Sequence, residues 1–537
     1  MQTTTVSSVA HAAQQRRTFA IISHPDAGKT TLTEKFLLYS GAIAEAGVVR
    51  ARREGRAVVS DWMDLERQRG ISITSTVLRF DHQGVHLNLL DTPGHRDFSE
   101  DTYRVLTAVD AAIMVLDAAK GIESQTRKLF EVCRLRGIPL LTFINKYDRP
   151  GMEALRLLDE IEQTLALHAA PVVWPVGIAG DLRGVLDRRD GSYHRFGRTA
   201  HGARQAPEEH LDAARAAAED GDAWHRAEEE TALLNAIGAD LDRDEFLSGR
   251  STPVFFGSAL TNFGVRLLLD AIVELAPAPS ARPTLEDGAR HIDAPFSGFV
   301  FKVQANMDPN HRDRIAFVRV CSGRFQRGMT ATIARTGRPF ALKYAHQVRG
   351  RDRETLDEAY PGDIIGLVNA TELSLGDTLY VDRPVSFPPI PTFAPEHFAV
   401  ARNRDTSRYK QFRRGLAALD EEGVIQVLRH PDRGDQAPVL AAVGPMQFEV
   451  AAHRLAQEFG ARVDLSPLDY TIARLTDAAG EPLLRLWREA EVLHRANGAR
   501  YALFRSQFWL ERFQKDHPDV WLETVFVDHS GTHSANG

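Results

Sequence analysis

Cysteine is almost absent from this 537-residue chain, which holds only Cys133 and Cys321. Two such residues build no disulfide framework, and a reducing compartment fits. Long apolar runs are missing too: no stretch approaches the length of a membrane span, so no membrane partner is expected. Met1 to Gln15 is rich in Thr, Ser, Ala and Gln and lacks the apolar centre of a signal peptide; it reads as a flexible tail. There is no excess of basic charge, with 65 Lys and Arg against 72 Asp and Glu and a net charge of −7. No global positive field advertises DNA, and a large RNA partner would need local patches. No internal repeat or low-complexity tract occurs. What remains is an ordinary balance of apolar and charged residues, expected of a soluble, cytoplasmic protein of about three or four domains.

The most informative stretch is Thr18 to Ser40. Thr18 to Ile22 reads as a short buried strand, and Leu32, Phe36 and Tyr39 recur at helical spacing. Between them lie Ser23, His24, Pro25, Asp26, Ala27, Gly28, Lys29 and Thr30, followed by Thr31. This fits the phosphate-binding loop G-x-x-x-x-G-K-[ST], with Ser23 in place of the first glycine. Gly28 lets backbone N–H groups approach phosphate oxygens, and the helix N-terminus adds partial positive charge. Lys29 supplies a compact cation, and the Thr30 hydroxyl can ligate Mg²⁺.

Gly41 to Ser60 carries Arg50, Arg52, Arg53 and Arg56 without a clear period and reads as a mobile loop. Thr76 to Phe80 and Val85 to Leu90 form a hairpin around Gln83-Gly84. Further strands are expected at Ala111 to Leu116, Leu140 to Ile144 and Val254 to Phe256, with helices at Ile122 to Arg136 and Met152 to Leu167 between them. Strands alternating with helices argue for a mostly parallel, doubly wound α/β sheet. Gly180 to Gly249, rich in Ala, Glu, Asp and Arg, reads as a helical insert. A proline-rich linker at Pro277 to Pro283 ends this region. Short apolar runs punctuated by glycine from Pro295 to Val381 predict a β-barrel domain. After Pro384 to Pro395, helices at Lys410 to Asp420 and Gln447 to Phe459 mix with strands, predicting an α+β C-terminal domain.

Two more strand ends carry chemistry. Asp91-Thr92-Pro93-Gly94 can hold Mg²⁺ through water at Asp91 and approach a γ-phosphate at Gly94. Asn145-Lys146-Tyr147-Asp148 suits guanine: the Asp148 carboxylate accepts from the ring N1–H and the exocyclic amine, which adenine cannot satisfy. Ser258-Ala259-Leu260 is placed to offer backbone N–H to the guanine O6. In this order the motifs describe a guanine-nucleotide switch domain. An ATPase does not account for Asn145 and Asp148.

Arg69-Gly70-Ile71-Ser72-Ile73-Thr74, Asp91 to His95, Gly298-Phe299-Val300-Phe301-Lys302 and Arg319-Val320-Cys321-Ser322-Gly323 resemble the translational GTPases that work on the ribosome. More narrowly, Ser23 to Thr31, Ser60-Asp61-Trp62-Met63, Phe143 to Arg149, Pro171 to Gly177, Pro253 to Val265, and Tyr409 to Phe412 onward to Gln447-Phe448 resemble the release factor three family. A chain like elongation factor G would continue with two further domains, and one like elongation factor Tu would carry a second barrel.

The resemblance implies a GTPase of translation termination, binding GTP or GDP with Mg²⁺. Lys29 and Thr30 would bind phosphate and metal, Ser72 would be a second metal ligand, and Asp91 would reach the metal through water. His95 would orient the attacking water, with Pro25 and Ile71 flanking its approach. Asp26 falls where a monovalent cation is held in the family. The chain, as a monomer, would meet the ribosome and the codon-reading class I release factors. No arginine finger is evident, so hydrolysis is expected to be slow alone and fast on the ribosome. GTP and GDP would favour different packings of the barrel. A nucleotide-gated binding module, or a ribosome-rescue or protection GTPase, are the alternatives. Pro445, in Gly444-Pro445-Met446-Gln447, departs from the expected pattern and puts the local backbone in question.

Overall fold

The protein is described from a computed structural model over residues 8–43, 75–197, 203–286, 288–305, 314–349, 352–390, 394–430 and 437–524. Arg50 to Arg56 and the whole stretch from Ser60 to Thr74, including Ile71 and Ser72, lie outside these residues.

The N-terminal domain is a seven-stranded sheet of order β2-β3-β1-β4-β5-β11-β6. Its strands are β1 (Arg16–Ser23), β2 (Thr76–His82), β3 (Val85–Asp91), β4 (Ala111–Asp117), β5 (Leu140–Asn145), β6 (His168–Pro171) and β11 (Ser251–Phe256). Only β2 runs antiparallel to its neighbour. The parallel strands are near-continuous apolar runs because helices cover both faces. Those helices include α2 (Lys29–Tyr39), α3 (Ser99–Leu106), α4 (Ser124–Leu135), α5 (Ala154–Leu165) and α9 (Val265–Leu275). Cys133 sits within this core, where burial pushes its thiol up to about 12. It is a packing residue, not a reactive one.

Two expectations change. The chain before Arg16 is not all tail, since Ser8–Gln14 forms a helix, α1, with Ala13 buried and Ala12 O accepting from Arg16. The insert is not simply helical. Three strands within it, β8 (Asp181–Asp187), β9 (Tyr193–Phe196) and β10 (Glu208–Leu211), join β7 (Val173–Ile178), just before it, in a four-stranded antiparallel sheet. Its helices, α6 (Ala213–Asp220), α7 (Asp222–Ala236) and α8 (Arg243–Leu247), come after. The acidic, alanine-rich composition belongs to the helices and masked the shorter strands.

The insert is tied to the main sheet by charge. Arg266 on α9 donates to both Glu208 oxygens, at 2.9 and 2.5 Å, and to Asp270 at 2.6 Å. Asp270 also meets His82 of β2 at 2.7 Å. His194, cross-strand partner of His210, meets Glu208 at 2.6 Å. His194, Glu208 and His210 cluster closely, but the guanidinium already engages both carboxylate oxygens, and the group is a charge network.

The second domain is an antiparallel β-barrel running from Ser297–Ala305 to Thr378–Tyr380 around its own apolar core. Its seat on the first domain joins apolar packing, with Phe299, Phe301, Phe317 and Ile364 in the first domain's core, to buried polar contacts. Arg319, 1% exposed, pairs with both Asp110 oxygens at 2.7 Å. Arg16 pairs with Asp363 at 2.8 Å. Lys302 reaches the Ser75 carbonyl, and its hydroxyl at 2.8 Å. Ser75 N–H in turn donates to Asp101 of α3 at 2.6 Å.

The C-terminal domain has two four-stranded antiparallel sheets. Helices α10 (Tyr409–Glu421) and α11 (Met446–Phe459) share a core with the first; α12 (Glu481–Leu486) and α13 (Gln507–Asp516) share one with the second. Among the described residues, no helix is long and apolar enough to cross a membrane.

Two outcomes follow. Arg319→Met leaves the Asp110 carboxylate uncompensated at the barrel seat and costs about 3 kcal/mol, read as a lower denaturant midpoint of the first unfolding transition. The second concerns Glu208. Burial alone would raise its carboxyl, but hydrogen bonds from Arg266 and then His194 outweigh this and hold it at about 2 against an ordinary 4.5. Its stabilisation is therefore full above pH 4.5 and lost as pH falls toward 2. The gap in melting temperature between the native chain and Glu208→Gln is expected to close over that interval; a gap that persists there contradicts the assignment.

Candidate functional site

The parallel register sets the site. Ile21 of β1 pairs with Asp91, Ser23 pairs with Val115, and Asp117 of β4 pairs with Asn145 of β5. The carboxyl ends of β1, β3, β4 and β5 therefore share one rim. β1 lies between β3 and β4, so the loop after it opens a crevice where ligands settle in such sheets. A cavity of about 300 Å³ occupies this rim. It is bordered by Ser23, His24, Pro25, Asp26, Gly28, Lys29, Thr30, Thr31, Gly94 and His95 on one side, and by Asn145, Lys146, Asp148, Ala259 and Leu260 on the other.

Gly28 precedes α2 with φ 102°, a backbone conformation that favours glycine. A Cβ there would stand 2.2 Å from Asn145 Nδ2. Lys29 is buried, its Nζ 2.5 Å from Asp91 Oδ1. Asp26, also at positive φ, is exposed at the loop's outer edge.

Three buried polar atoms of residues bordering the cavity have no partner among the described residues, Ser23 Oγ, His24 Nδ1 and Asp148 Oδ1, and a fourth, Asp91 Oδ2, belongs to the carboxylate paired with Lys29. Buried polar atoms are nearly always paired, so orphans converging on one cavity mark where ligand atoms belong. At one end, Asp91 Oδ2 and the Thr30 hydroxyl are oxygen donors of the kind Mg²⁺ takes. At the other, Asp148 Oδ1 is an acceptor for a base edge. The residues present fit a nucleotide with its metal.

Some expected roles move. Asn145 does not face the cavity with open polar atoms: its Nδ2 donates to Ala27 O at 2.7 Å and its Oδ1 accepts from Ala259 N–H at 2.8 Å. It is the staple between the phosphate loop and the loop after β11. Ser258 is fully buried and bonds Phe263 through both backbone groups, so its N–H is committed elsewhere. Leu260 is left at the cavity edge. Thr92 points inward, its hydroxyl donating to Ile21 O at 2.6 Å, and Pro93 O accepts from Thr102 at 3.2 Å. Ala27 is buried behind the loop. Pro25 lies against Gly94, whose Cβ position is 3.7 Å from Pro25 Cα.

His95 is part-buried, with Nδ1 accepting from Asp97 N–H at 3.3 Å. In the neutral ring this leaves the proton on Nε2.

Sequence reasoning missed several participants. Asp117 holds Lys146 at 2.7 Å. Burial would raise the Asp117 carboxyl, but the hydrogen bonds from Lys146 and the Ala119 N–H hold it below its ordinary value. Arg149 adds a cation at the cavity mouth, and Glu123 meets His24 at 3.1 Å. Arg149 adjoins the N-K-Y-D motif and was findable; Asp117 and Glu123 become visible only once β4 lies beside β5 and β1.

Comparison with known proteins accounts for this architecture. The chain matches the Elongation factor Tu GTP binding domain over residues 14–278, Elongation factor G domain 2 over 295–382, and the Class II release factor RF3, C-terminal domain over 387–514. Peptide chain release factor 3 of Synechococcus elongatus is 50% identical over 531 residues, covering 98% of this chain and 95% of that protein. The protein of the same name from Gloeothece citriformis is 49% identical, covering 97% of each. Among solved structures, the crystal structure of ttk003000868 from Thermus thermophilus shares the fold, with a TM-score of 0.67 at 22% identity over 90% of this chain and 71% of that one. A cavity with orphaned acceptors at both ends, the barrel beside it and these full-length relatives place the chain in the peptide chain release factor 3 family of GTPases.

Proposed function

We propose that this chain acts in translation termination as a ribosome-stimulated GTPase that removes class I release factors from the ribosome after peptide release. The observation that carries the reading is one cavity at the strand ends, with Ser23 Oγ, Lys29 and Thr30 on one side and the unpaired Asp148 Oδ1 on the other.

Asp148 accepts from guanine, and Lys146, steered by Asp117, and Leu260 border the base. Lys29 leaves Asp91 and turns its ammonium to the phosphates, where the amides of the Gly28 turn and the α2 N-terminus favour anions. Thr30 and Asp91 would hold Mg²⁺, with Ser72 as a further hydroxyl; the metal, when bound, offsets phosphate charge. Asp26 would hold a monovalent cation. His95, its Nε2–H turned toward the γ-phosphate end, orients the attacking water. Exchange of GTP for GDP shifts how the barrel sits, because Lys302 and Asp101 grip Ser75, three residues beyond Ser72. The protein works as a monomer in the cytoplasm.

His95→Ala is expected to lower ribosome-stimulated turnover by about 10²-fold and leave GTP binding intact; unchanged stimulated turnover removes His95 from the reaction. Competition binding is expected to rank GTP and GDP far above ATP and ADP, and equal binding would overturn the role of Asp148.

A further inference from the structure

The loop carrying His95 makes a second contact that the nucleotide does not require. Asp97 is 4% exposed. Its Oδ2 accepts from the backbone N–H of Met446 at 2.8 Å. Met446 is the first residue of α11, in the C-terminal domain, and its amide is one of those a helix leaves unpaired at its start. The neighbouring Gln447 side chain is already committed, with Oε1 accepting from Val443 and Gly444 N–H at 2.8 and 3.1 Å and Nε2 donating to Val424 O at 2.8 Å. The other Asp97 oxygen, Oδ1, lies 3.6 Å from His95 Nδ1, the same ring nitrogen that accepts from Asp97 N–H.

The sequence around α11 is shaped for this approach. A Cβ at Gly444 would stand 2.1 Å from Asp97 Cγ and 2.3 Å from Oδ1, so only glycine lets the carboxylate in. Pro445, the residue that departed from expectation, sits at φ −65° and ψ −28°, a geometry proline already favours. Having no N–H itself, it leaves Met446 as the first amide offered to Asp97. Phe98 packs with Val450, Val424 and Met446 beside this contact. One helix further, Arg104 of α3 donates to Glu422 O at 3.0 Å and Gly423 O at 3.1 Å.

We propose that Asp97 is a positioning residue that couples the seat of the C-terminal domain to His95, its carboxylate serving the start of α11 and its backbone N–H the imidazole. When α11 is docked, the Met446 N–H fixes the carboxylate and the Asp97 N–H holds the ring at Nδ1. When α11 moves away, the carboxylate loses its partner and the His95 loop loses its outer anchor. A reacting group displaced by about 1 Å can cost about 10²-fold in rate. Hydrolysis then reports whether the C-terminal domain is seated. The inference rests on the role of His95 proposed above.

The test uses the full-length protein with Gly444→Ala, which crowds Asp97 from a position remote in sequence from the nucleotide motifs. The expected result is a fall of about tenfold or more in the kcat of ribosome-stimulated GTP hydrolysis, an unchanged Kd for GTP and GDP, and a shift of the His95 ring signals in nuclear magnetic resonance spectra of ¹⁵N-histidine-labelled protein. Asp97→Ala removes the acceptor for Met446 and keeps the backbone N–H that holds His95. It is expected to move the same ring signals and lower kcat, and it serves where Gly444→Ala fails to fold. Stimulated kcat within twofold of native in the folded variant overturns the proposal. So does a fall in kcat with unmoved His95 signals, which marks a merely structural contact. If native protein shows no stimulation by ribosomes, the functional reading fails by itself, and the ring signals, recorded without ribosomes, decide the coupling.

Discussion

The arrangement depends on one close approach: the Asn145 side chain between Ala27 and Ala259. It closes two hydrogen bonds across the rim of the sheet, and its amide nitrogen occupies the space a Cβ on residue 28 would need. The phosphate loop and the loop after β11 are thereby held at a fixed separation, spanning a cavity with acceptors at both ends. Loosening either bond would let the two halves of the pocket drift apart, and the phosphate and base ends of one ligand could then no longer be held together.

The remaining domains seat on this frame through buried polar contacts set beside apolar ones, with Phe301 and Phe317 of the barrel in the first domain's core and Phe98 against Val450. Arg319 with Asp110, Arg16 with Asp363, and Lys302 with Ser75 hold the barrel. Asp97 and Arg104 hold the C-terminal domain. Such contacts contribute modest net stability but tolerate only one geometry. They suit interfaces that must be either seated or released, and two of them fall on Ser75 and on Asp97, two residues beyond His95.

Much of the nucleotide pocket was legible because its chemistry is local. Phosphate binding needs consecutive amides, a glycine and a lysine, so the requirement is written in adjacent letters. The strands and helices of the first domain carry strong periodic patterns, and the helix expected at Met152 to Leu167 forms from Ala154 to Leu165. Illegible parts depended on distant partners. The strands of the insert were hidden by the composition of the helices after them. Ser258 and Asn145 look like ligand contacts in the motif, yet their groups are committed to Phe263, Ala27 and Ala259.

From its letters alone the chain determined the order of its elements, the left-handed turn at Gly28 and the carboxylate of Asp148 beyond a buried strand, because each is a property of a short run. Only the tertiary structure decided that Asp117 would steer Lys146, that Asn145 would be a staple, and that Gly444 and Met446 would meet Asp97 from another domain. Those are relations between strand ends and domain faces. Pairing across such distances is set by sheet register and domain packing, which no local pattern of residues encodes.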